Sequence, residues 1–455
     1  MKTTRRDFLL RAGALTSGGL AARLGPISAL GLASAAHAQA ATDYKALVCV
    51  FLYGGVDGNN LVIPADSAGY ALYSGVRPVS SGVNITQAEM LGIQPTNSAT
   101  AFGLHPELAE IHPLFAQGRM AILANVGPLN EPTTKATYLA KRPANLFSHS
   151  DQQNQWQSSV SDGQSRSGWG GRIADQMASV NGTFPVITSI AGASLFISGN
   201  ATSALALPQS GAITLQGFNG TAAANARLAA VQAILASDRE NAYVKAAGDI
   251  TSQALSLSTV VNPILTSTTS TIQGLFAGQT SSISQQLLQV AKLIEARSQT
   301  GARRQVFFVS LGGFDTHANE LATLTTLLGQ LSPALRSFYD ATAQLGLASQ
   351  VTTFTLSDFG RTFQPASGQG TDHAWGNHHF ILGGAVQGGK MYGTYPTLAR
   401  AGPDDADTSG RWIPSTSVEQ YGATLARWFG VPEASLATVF PALAKFSSSN
   451  LGFLA

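Results

Sequence analysis

The sequence predicts an α/β fold built around a mostly parallel β-sheet. Several short apolar runs, rich in β-branched residues and bounded by turn residues, are typical of strands buried on both faces. Helical apolar spacing occurs between several of these runs, and this alternation is typical of a parallel sheet covered by helices. The predicted strands cover residues 45–53, 120–126, 185–188, 305–311, 351–356 and 379–382.

Helices are predicted where apolar residues recur at three- and four-residue spacing. The best-defined of them begins with a capping box made by Ser417 and Gln420, and Gly430 ends it. The predicted flanking helices cover residues 108–115, 321–345 and 418–429.

Residues 190–300 differ in composition from the rest of the chain. They are rich in Ala, Ser, Thr and Gln and carry long helical patterns at 223–247 and 283–297. We interpret this segment as a mainly helical insertion into one large α/β domain that covers residues 41–455.

The first forty residues predict a signal peptide for the twin-arginine export machinery. Arg5 and Arg6 stand directly before an apolar stretch, and small residues at 36–40 fit a cleavage site. The alternative is a membrane anchor, but Arg23 and many Gly, Ser and Pro residues interrupt the apolar run. Cleavage of residues 1–40 predicts a periplasmic or secreted protein without a stable membrane span.

The composition argues against several functional classes. Residues 1–40 hold five of the 27 basic and one of the 25 acidic side chains, so the predicted mature chain has 22 basic and 24 acidic residues, a net charge of −2. No long basic cluster follows the signal, which argues against nucleic-acid partners and an electrostatic membrane patch. The single cysteine, Cys49, lies in an apolar run and is interpreted as a buried hydrophobic residue.

Histidines and acidic residues concentrate just after predicted strands. His149, His317 and His373 each lie in a short polar segment with an acidic residue, and Asp57 follows the first predicted strand. Functional groups gather at the carboxyl ends of strands in open α/β sheets. Mixed oxygen and nitrogen ligands suit Zn²⁺ or Mn²⁺, and two such ions can hold the attacking and leaving oxygens of a phosphoryl or sulfuryl group.

Each acidic candidate also has a structural interpretation. Asp57 fits an Asx turn, Asp315 with His317 fits a turn with a local hydrogen bond, and Asp358 can pair with Arg361. The remaining histidines are not assigned to the site. His378 and His379 would point to opposite faces of a strand, and His105 and His112 precede prolines where capping or packing is favoured.

Ser148 has two compatible interpretations. With Asp151 three residues later it fits the capping box of a helix. A serine at a helix N-terminus also lies where the helix dipole and free backbone N–H groups favour an anion. Bound to a metal, its hydroxyl could attack a phosphoryl centre.

Together these segments resemble an exported bacterial family catalogued as domain of unknown function 1501. The segments that carry the resemblance are Gly54-Gly55-Val56-Asp57-Gly58, Ser148-His149, Gly312-Gly313-Phe314-Asp315-Thr316-His317, Asp358-Phe359-Gly360-Arg361-Thr362 and Asp372-His373. That family is similar to the alkaline phosphatase and sulfatase superfamily. The resemblance implies a doubly wound sheet and one or two divalent metal ions that act on phosphate or sulfate esters.

By position, the resemblance implies a role for each candidate residue. Asp57 and Asp358 would bind one metal, and Asp315, His317 and His373 would bind the other. Ser148 would be the nucleophile, and Arg361 would offer a bidentate contact to a phosphate or sulfate oxygen.

The chain departs from the superfamily pattern in both implied metal sites. A single residue, Thr316, separates Asp315 from His317 where three are usual, and Phe359 follows Asp358 where a histidine is usual. His149 is a possible additional ligand that would replace the missing nitrogen.

The predicted function is therefore an exported metal-dependent hydrolase of an anionic ester, either phosphate or sulfate. Histidine ligands favour zinc or manganese and leave calcium and magnesium open. The alternative is a non-catalytic periplasmic or cell-surface binding protein on the same fold, and Phe359 counts in its favour. A flavin or nicotinamide enzyme is not supported, because no Gly-x-Gly-x-x-Gly turn follows the first predicted strand.

Overall fold

The computed structural model of the chain describes residues 44–213, 221–237 and 240–455. The predicted twin-arginine signal at 1–40 lies outside these residues, so the predicted export stays a prediction. Within the described ranges, no helix is both long enough and apolar enough to cross a membrane.

The strands form two sheets in the described part of the chain. The large sheet has nine strands in the order β11-β5-β10-β9-β1-β8-β6-β7, with β12 beside β5, and the small one has the order β2-β4-β3. The strands are β1 Lys45–Tyr53, β2 Val62–Pro64, β3 Leu91–Ile93, β4 Phe102–Leu104, β5 Met120–Gly127, β6 Ile187–Ser189, β7 Leu205–Ala206, β8 Arg304–Gly312, β9 Val351–Ser357, β10 Asn377–Gly383, β11 Met391–Gly393 and β12 Thr416–Ser417.

The large sheet is mostly parallel, as predicted. Strand β1 pairs in parallel with both β8 and β9, and β6 pairs in parallel with β8. Strand β10 is the exception, because it runs antiparallel to both of its neighbours, β5 and β9.

Helices cover both faces of the large sheet. The α-helices are α1 Gly58–Leu61, α2 Ser67–Val76, α3 His112–Ala116, α4 Tyr138–Lys141, α5 His149–Ser158, α6 Trp169–Met177, α7 Ala222–Leu235, α8 Ala242–Leu265, α9 Ser282–Glu295, α10 Arg297–Thr300, α11 Glu320–Gln344, α12 Val418–Phe429 and α13 Leu436–Val439. Short 3₁₀ helices occur at Val79–Ser81, Pro106–Leu108, Leu195–Ile197, Gln273–Phe276, Ala348–Gln350, Glu433–Ser435 and Leu443–Lys445.

Strand β1 illustrates why the sheet is buried on both sides. Val48 and Val50 point into the core cluster shared with α9 and α11, whereas Cys49 and Phe51 point into the cluster shared with α6 and α12. Burying an apolar side chain of this size contributes about 1.5–3 kcal/mol. The predicted α/β fold with a doubly wound, mostly parallel sheet is therefore confirmed.

Two predicted helical regions differ from the structure. Residues 108–115 do not form one helix, since Leu108 ends the 3₁₀ helix that begins at Pro106, and α3 starts separately at His112 with Pro113 in its first turn. In the predicted insertion, α9 packs into the main core through Leu287 and Val290, whereas most of the side chains described in α7 are exposed. The insertion boundaries stay a prediction.

The carboxyl ends of three neighbouring strands, β9, β1 and β8, meet at one edge of the sheet, at Ser357, Tyr53 and Gly312. Each strand runs directly into a polar loop at this edge. The loop after β1 approaches the loop after β8 so closely that a Cβ at Gly54, whose φ is +113°, would lie 2.4 Å from the backbone nitrogen of Asp315. Glycine is required there by both the backbone angle and the contact.

Candidate metal centre

Four side chains converge beside this edge of the sheet. Asp315 Oδ1 lies 3.1 Å from His317 Nε2, 3.4 Å from His373 Nε2 and 3.5 Å from His149 Nε2. The Nε2 atoms of His317 and His373 are 3.0 Å apart. Around a tetrahedral zinc ion with bonds of 2.0–2.1 Å, neighbouring ligand atoms lie roughly 3.3 Å apart. The spacing of the Asp315, His317 and His373 atoms therefore suits a single small cation.

Each of the three imidazoles also has an oxygen atom next to its other ring nitrogen, Nδ1. The contacts join His149 Nδ1 to Asp358 Oδ2 at 2.7 Å, His317 Nδ1 to Asp372 Oδ1 at 3.3 Å and His373 Nδ1 to the carbonyl oxygen of Phe147 at 2.8 Å. Carboxylates and backbone carbonyls that accept from one ring nitrogen orient the other nitrogen toward a metal. The Nε2 atom of each of the three imidazoles lies within 3.5 Å of Asp315 Oδ1.

Electrostatics also favour a cation in this cluster. An imidazole whose Nδ1–H donates to an acceptor presents a lone pair at Nε2. His373 Nδ1 lies against the carbonyl oxygen of Phe147, so His373 presents this lone pair at Nε2, 3.0 Å from His317 Nε2 and 3.4 Å from the Asp315 carboxylate. This arrangement is repulsive unless a proton or a metal ion lies among the three atoms.

The pKa directions agree with ligand-competent forms at two positions. Partial burial would raise the pKa of Asp315, but the hydrogen bond from Arg361 and its charge outweigh burial and lower it. Burial lowers the pKa of His373. For His149, the hydrogen bond to Asp358 raises the pKa against the opposing effect of burial. Anionic carboxylate and neutral imidazole are the forms that bind metals.

Among the described residues, the group of acidic, cysteine and histidine side chains close enough to share an ion is His149, Asp315 and His373, with ligand atoms within 4.8 Å of one another. His317 lies against two members of this group. The structure thus brings together the predicted ligands Asp315, His317 and His373, and it adds His149, which the sequence suggested as a further ligand.

Asp57 does not have a free carboxylate to offer to a metal. It is fully buried, its Oδ2 accepts from Arg77 Nη1 at 2.5 Å, and its Oδ1 accepts from the backbone and side chain of Asn59 at 3.1 Å. It also caps the N-terminus of α1. The Asx-turn interpretation therefore fits this geometry, and the ligand role implied by the resemblance does not.

Asp358 lies behind the cluster rather than in it. Its carboxylate is buried, and Oδ2 accepts from His149 Nδ1 and from Gln153 Nε2 at 2.8 Å. In the described part of the chain, no donor contacts its Oδ1. Asp358 is therefore placed to orient His149, and a second metal shared by Asp57 and Asp358 does not fit this geometry.

Arg361 is not available to a substrate. Its side chain is fully buried, and it donates to the carbonyl oxygens of Gly54, Gly55, Phe314 and Thr371 and to Asp315 Oδ1 at 2.5 Å. The predicted contact to a phosphate or sulfate oxygen is corrected accordingly. The guanidinium instead ties three loops together and partly neutralises Asp315.

Ser148 is the N-cap residue of α5, but it does not form the predicted capping box. Its hydroxyl donates to Asp151 Oδ2 at 2.6 Å, and within the described residues it accepts no backbone N–H. It stands between two residues of the centre, because the preceding carbonyl of Phe147 holds His373 and the next residue is His149.

Phe359 fills the space where the resemblance implies a histidine. Its buried ring lies 4.7 Å from the ring of His149 and 4.6 Å from that of His373, measured between centroids. A Cβ at Gly55 would lie 2.4 Å from the Phe359 ring, so the β1 loop packs directly on it. The aromatic ring supports two imidazoles and supplies no ligand.

The sequence did not identify two of the residues that hold this region together, Arg77 and Glu320. Both form fully buried polar contacts with residues far away along the chain. No local motif marks such partners. Asp372 was identifiable in principle, since it directly precedes His373 in the polar segment.

Comparison with known proteins identifies the family of the chain. The family described as "Protein of unknown function (DUF1501)" matches residues 44–426. No curated protein matches the sequence.

Among solved structures, Ps i-CgsB in complex with k-i-k-neocarrahexaose aligns with 90% of this chain and 78% of its own, at 8% identity and a TM-score of 0.37. The PsFucS1 sulfatase from Pseudoalteromonas sp. aligns with 90% of this chain and 71% of its own, at 10% identity and a TM-score of 0.34.

Proposed function

We propose, from the premise that the chain belongs to the DUF1501 family, that it is an exported metal-dependent hydrolase of phosphate or sulfate esters. The observation that carries the proposal is the gathering of three imidazole Nε2 atoms within 3.5 Å of one carboxylate oxygen of Asp315, with an oxygen acceptor next to the Nδ1 of each imidazole. The resemblance to the alkaline phosphatase and sulfatase superfamily supplies the reaction class.

The donor set fits one ion. His149, Asp315, His317 and His373 would hold it through three nitrogens and one oxygen, a combination that suits zinc or manganese better than magnesium or calcium. When bound, a divalent ion would polarise the ester and lower the pKa of the attacking group. A second ion is not part of the proposal, because Asp57 is engaged by Arg77 and Phe359 replaces a ligand.

The residues around the cluster suggest how an ester would reach it and which group would attack the ester. The side chains of Asp315 and His317 are each 47% exposed, so the cluster is open to solvent on their side. Ser148, next to His149, is the proposed nucleophile, with a water molecule as the alternative. The Asp151 carboxylate, 2.6 Å from the Ser148 hydroxyl, is placed to accept its proton.

The first test measures metal content in the purified chain from residue 41 onward. The double substitution Asp315→Ala, His317→Ala is expected to abolish stoichiometric zinc or manganese, because it removes two of four ligands. The matched control is Asp340→Ala, His112→Ala, which removes the same residue types outside the cluster. Metal content is read by elemental mass spectrometry, and hydrolysis is then screened with phosphate and sulfate esters.

Equal metal content in the double variant and the wild-type chain would reject the ligand set. Folded wild-type protein that binds no divalent ion when supplied with it would reject the hydrolase proposal altogether.

The non-catalytic binding protein remains a second candidate because of two observations. Asp57 pairs with Arg77 and Asp315 pairs with Arg361, so arginines already neutralise carboxylates that a catalytic metal would use. Metal binding without turnover of any phosphate or sulfate ester would favour this candidate.

Export is a separate part of the proposal. Replacing Arg5 and Arg6 by lysine is expected to keep the protein in the cytoplasm, because the twin-arginine machinery reads that pair. Fractionation followed by intact mass measurement is the check, with Arg11→Lys as the control. Undiminished export of the double-lysine variant would point to a different route.

A further inference from the structure

Glu320 is a buried acidic residue that the proposed reaction does not use. It is the first residue of α11, and it is fully buried. Its Oε2 accepts hydrogen bonds from the hydroxyl of Thr371 and from that of Thr316 at 3.2 Å. A carboxyl group withdrawn from water is costly unless such partners are present.

The two threonines belong to the two loops that carry the proposed ligands. Thr316 lies between Asp315 and His317, and Thr371 lies two residues before His373. Glu320 therefore contacts both loops of the metal cluster, the one with Asp315 and His317 through Thr316 and the one with His373 through Thr371. Its carboxyl spans the gap between a loop that follows β8 and a loop far along the chain.

The backbone of Glu320 fastens the second loop as well. Its amide donates to the carbonyl oxygen of Gln369 at 2.9 Å, and the amide of Asn319 donates to that of Gly368 at 3.0 Å. One direct bond joins the threonines, from the amide of Thr371 to the carbonyl of Thr316 at 3.0 Å. Side chain and backbone thus connect the same two loops.

Glu320 also has an unusual electrostatic setting. Burial and the neighbouring charge of Asp57 raise its pKa well above the usual range, against the opposing charge of Arg77, whose Nη1 lies 4.0 Å away. Its other oxygen accepts from Asn60 Nδ2 at 3.3 Å. Glutamine keeps one oxygen that can accept from the two threonine hydroxyls, and it replaces the oxygen that faces Asn60 by an uncharged NH2 group.

We infer that Glu320 is a positioning residue of the proposed metal centre, which sets the spacing between Asp315 and His317 on one loop and His373 on the other. This inference rests on the proposed function for its metal, but the loop connection itself does not. Glu320 touches neither the ion nor a substrate. It acts through Thr316 and Thr371, so its removal is expected to loosen the cluster without removing a ligand.

The test compares Glu320→Ala and Glu320→Gln in the chain from residue 41 onward. Glu320→Ala is expected to speed amide hydrogen exchange in residues 313–319 and 368–374 and to weaken zinc binding, by no more than the about 10- to 100-fold that losing a direct partner of a ligand usually costs. Glu320→Gln is expected to retain both properties, because it keeps an acceptor for the threonines. Glu419→Ala is the matched control, a second buried glutamate in the first turn of a helix.

A further variant covers the case in which Glu320→Ala fails to fold. Thr316→Val, Thr371→Val removes the same two hydrogen bonds while keeping side-chain volume, and it is expected to produce the same local increase in exchange. Wild-type exchange in both loops of this variant, or of a folded Glu320→Ala protein, would overturn the inference. Faster exchange in a protein that binds no zinc in its wild-type form would support the loop connection and reject the metal proposal instead.

Discussion

Replacing Arg77 by methionine is expected to lower the free energy of unfolding by about 3–5 kcal/mol, the usual cost of removing one partner of a buried ion pair. Both side chains of the Arg77–Asp57 pair are fully buried. Arg77 also donates to the carbonyl oxygens of Thr362 and Phe363, each at 2.9 Å. Without the guanidinium, the Asp57 carboxylate stays in the core without its cationic partner, and the carbonyls of Thr362 and Phe363 lose their donor.

A double-mutant cycle separates the ion pair from the other contacts of Arg77. Asp57→Asn combined with Arg77→Met is expected to recover part of the loss, because no unpaired charge remains. Urea unfolding monitored by circular dichroism gives the four free energies. A double variant that is as unstable as the sum of the two single variants would show that the charge pair contributes nothing of its own.

The same variants decide whether Asp57 is a metal ligand. The oxygens of Asp57 accept hydrogen bonds from Arg77 and Asn59, so the Asp57→Asn protein is expected to bind a divalent ion as the wild-type chain does and to be less stable. Loss of the ion from a folded Asp57→Asn protein would restore the two-metal arrangement that the family resemblance implies.

The strands were predictable because burial on both faces leaves a strong local pattern. The predicted strand at 45–53 matches β1, and the strands at 120–126 and 305–311 match β5 and β8 within a residue or two. The antiparallel direction of β10 was not predictable, since the apolar residues of a buried strand are the same in either direction. The length of the helix predicted at 108–115 was overestimated because apolar spacing continues across Pro113.

The candidate centre was predictable only where residues follow strands. Asp358 comes directly after β9 and Asp315 lies three residues after the end of β8. Parallel strands bring their ends together, so the proximity of these residues followed from the fold class. Whether a side chain is free to bind a ligand depends on partners from elsewhere in the chain. Asp57 was interpreted as free to bind a metal and Arg361 as free to bind a substrate anion. In the structure Asp57 pairs with Arg77. The guanidinium of Arg361 donates to four backbone carbonyls and to Asp315.

The pKa of a buried group also cannot be predicted from sequence. Glu419 is such a group, and its raised pKa gives the second large expected effect, on the stability of the fold. It lies in the first turn of α12, and one carboxyl oxygen accepts from the amide of Ala442 at 3.0 Å. Its other oxygen is buried and, in the ranges that the structure describes, receives no donor. Burial raises the pKa of Glu419 from 4.5 to about 7, against the lowering effects of that amide and the charge of Lys445.

The sign of the pH dependence follows from proton binding. Below pH 4.5 the carboxyl is protonated in both states, and between pH 4.5 and about 7 the folded state holds a proton that the unfolded state has released. Stability therefore falls as pH rises through this window, by roughly 3 kcal/mol in total for a shift of this size. Glutamine cannot ionise, so Glu419→Gln is expected to gain roughly this amount over the wild-type chain between pH 4.5 and 8.

Urea unfolding of both proteins at pH 4.5, 6 and 8 measures this difference, and Glu433→Gln, which replaces an exposed glutamate, is the control for the substitution itself. A Glu419→Gln advantage that stays constant across the three pH values would mean that Glu419 ionises as easily in the folded chain as in the unfolded one. Because Glu419 contacts neither loop of the proposed centre, metal content is expected to be the same in both proteins. The charge on this helix then affects the stability of the fold and leaves the chemistry of the cluster unchanged.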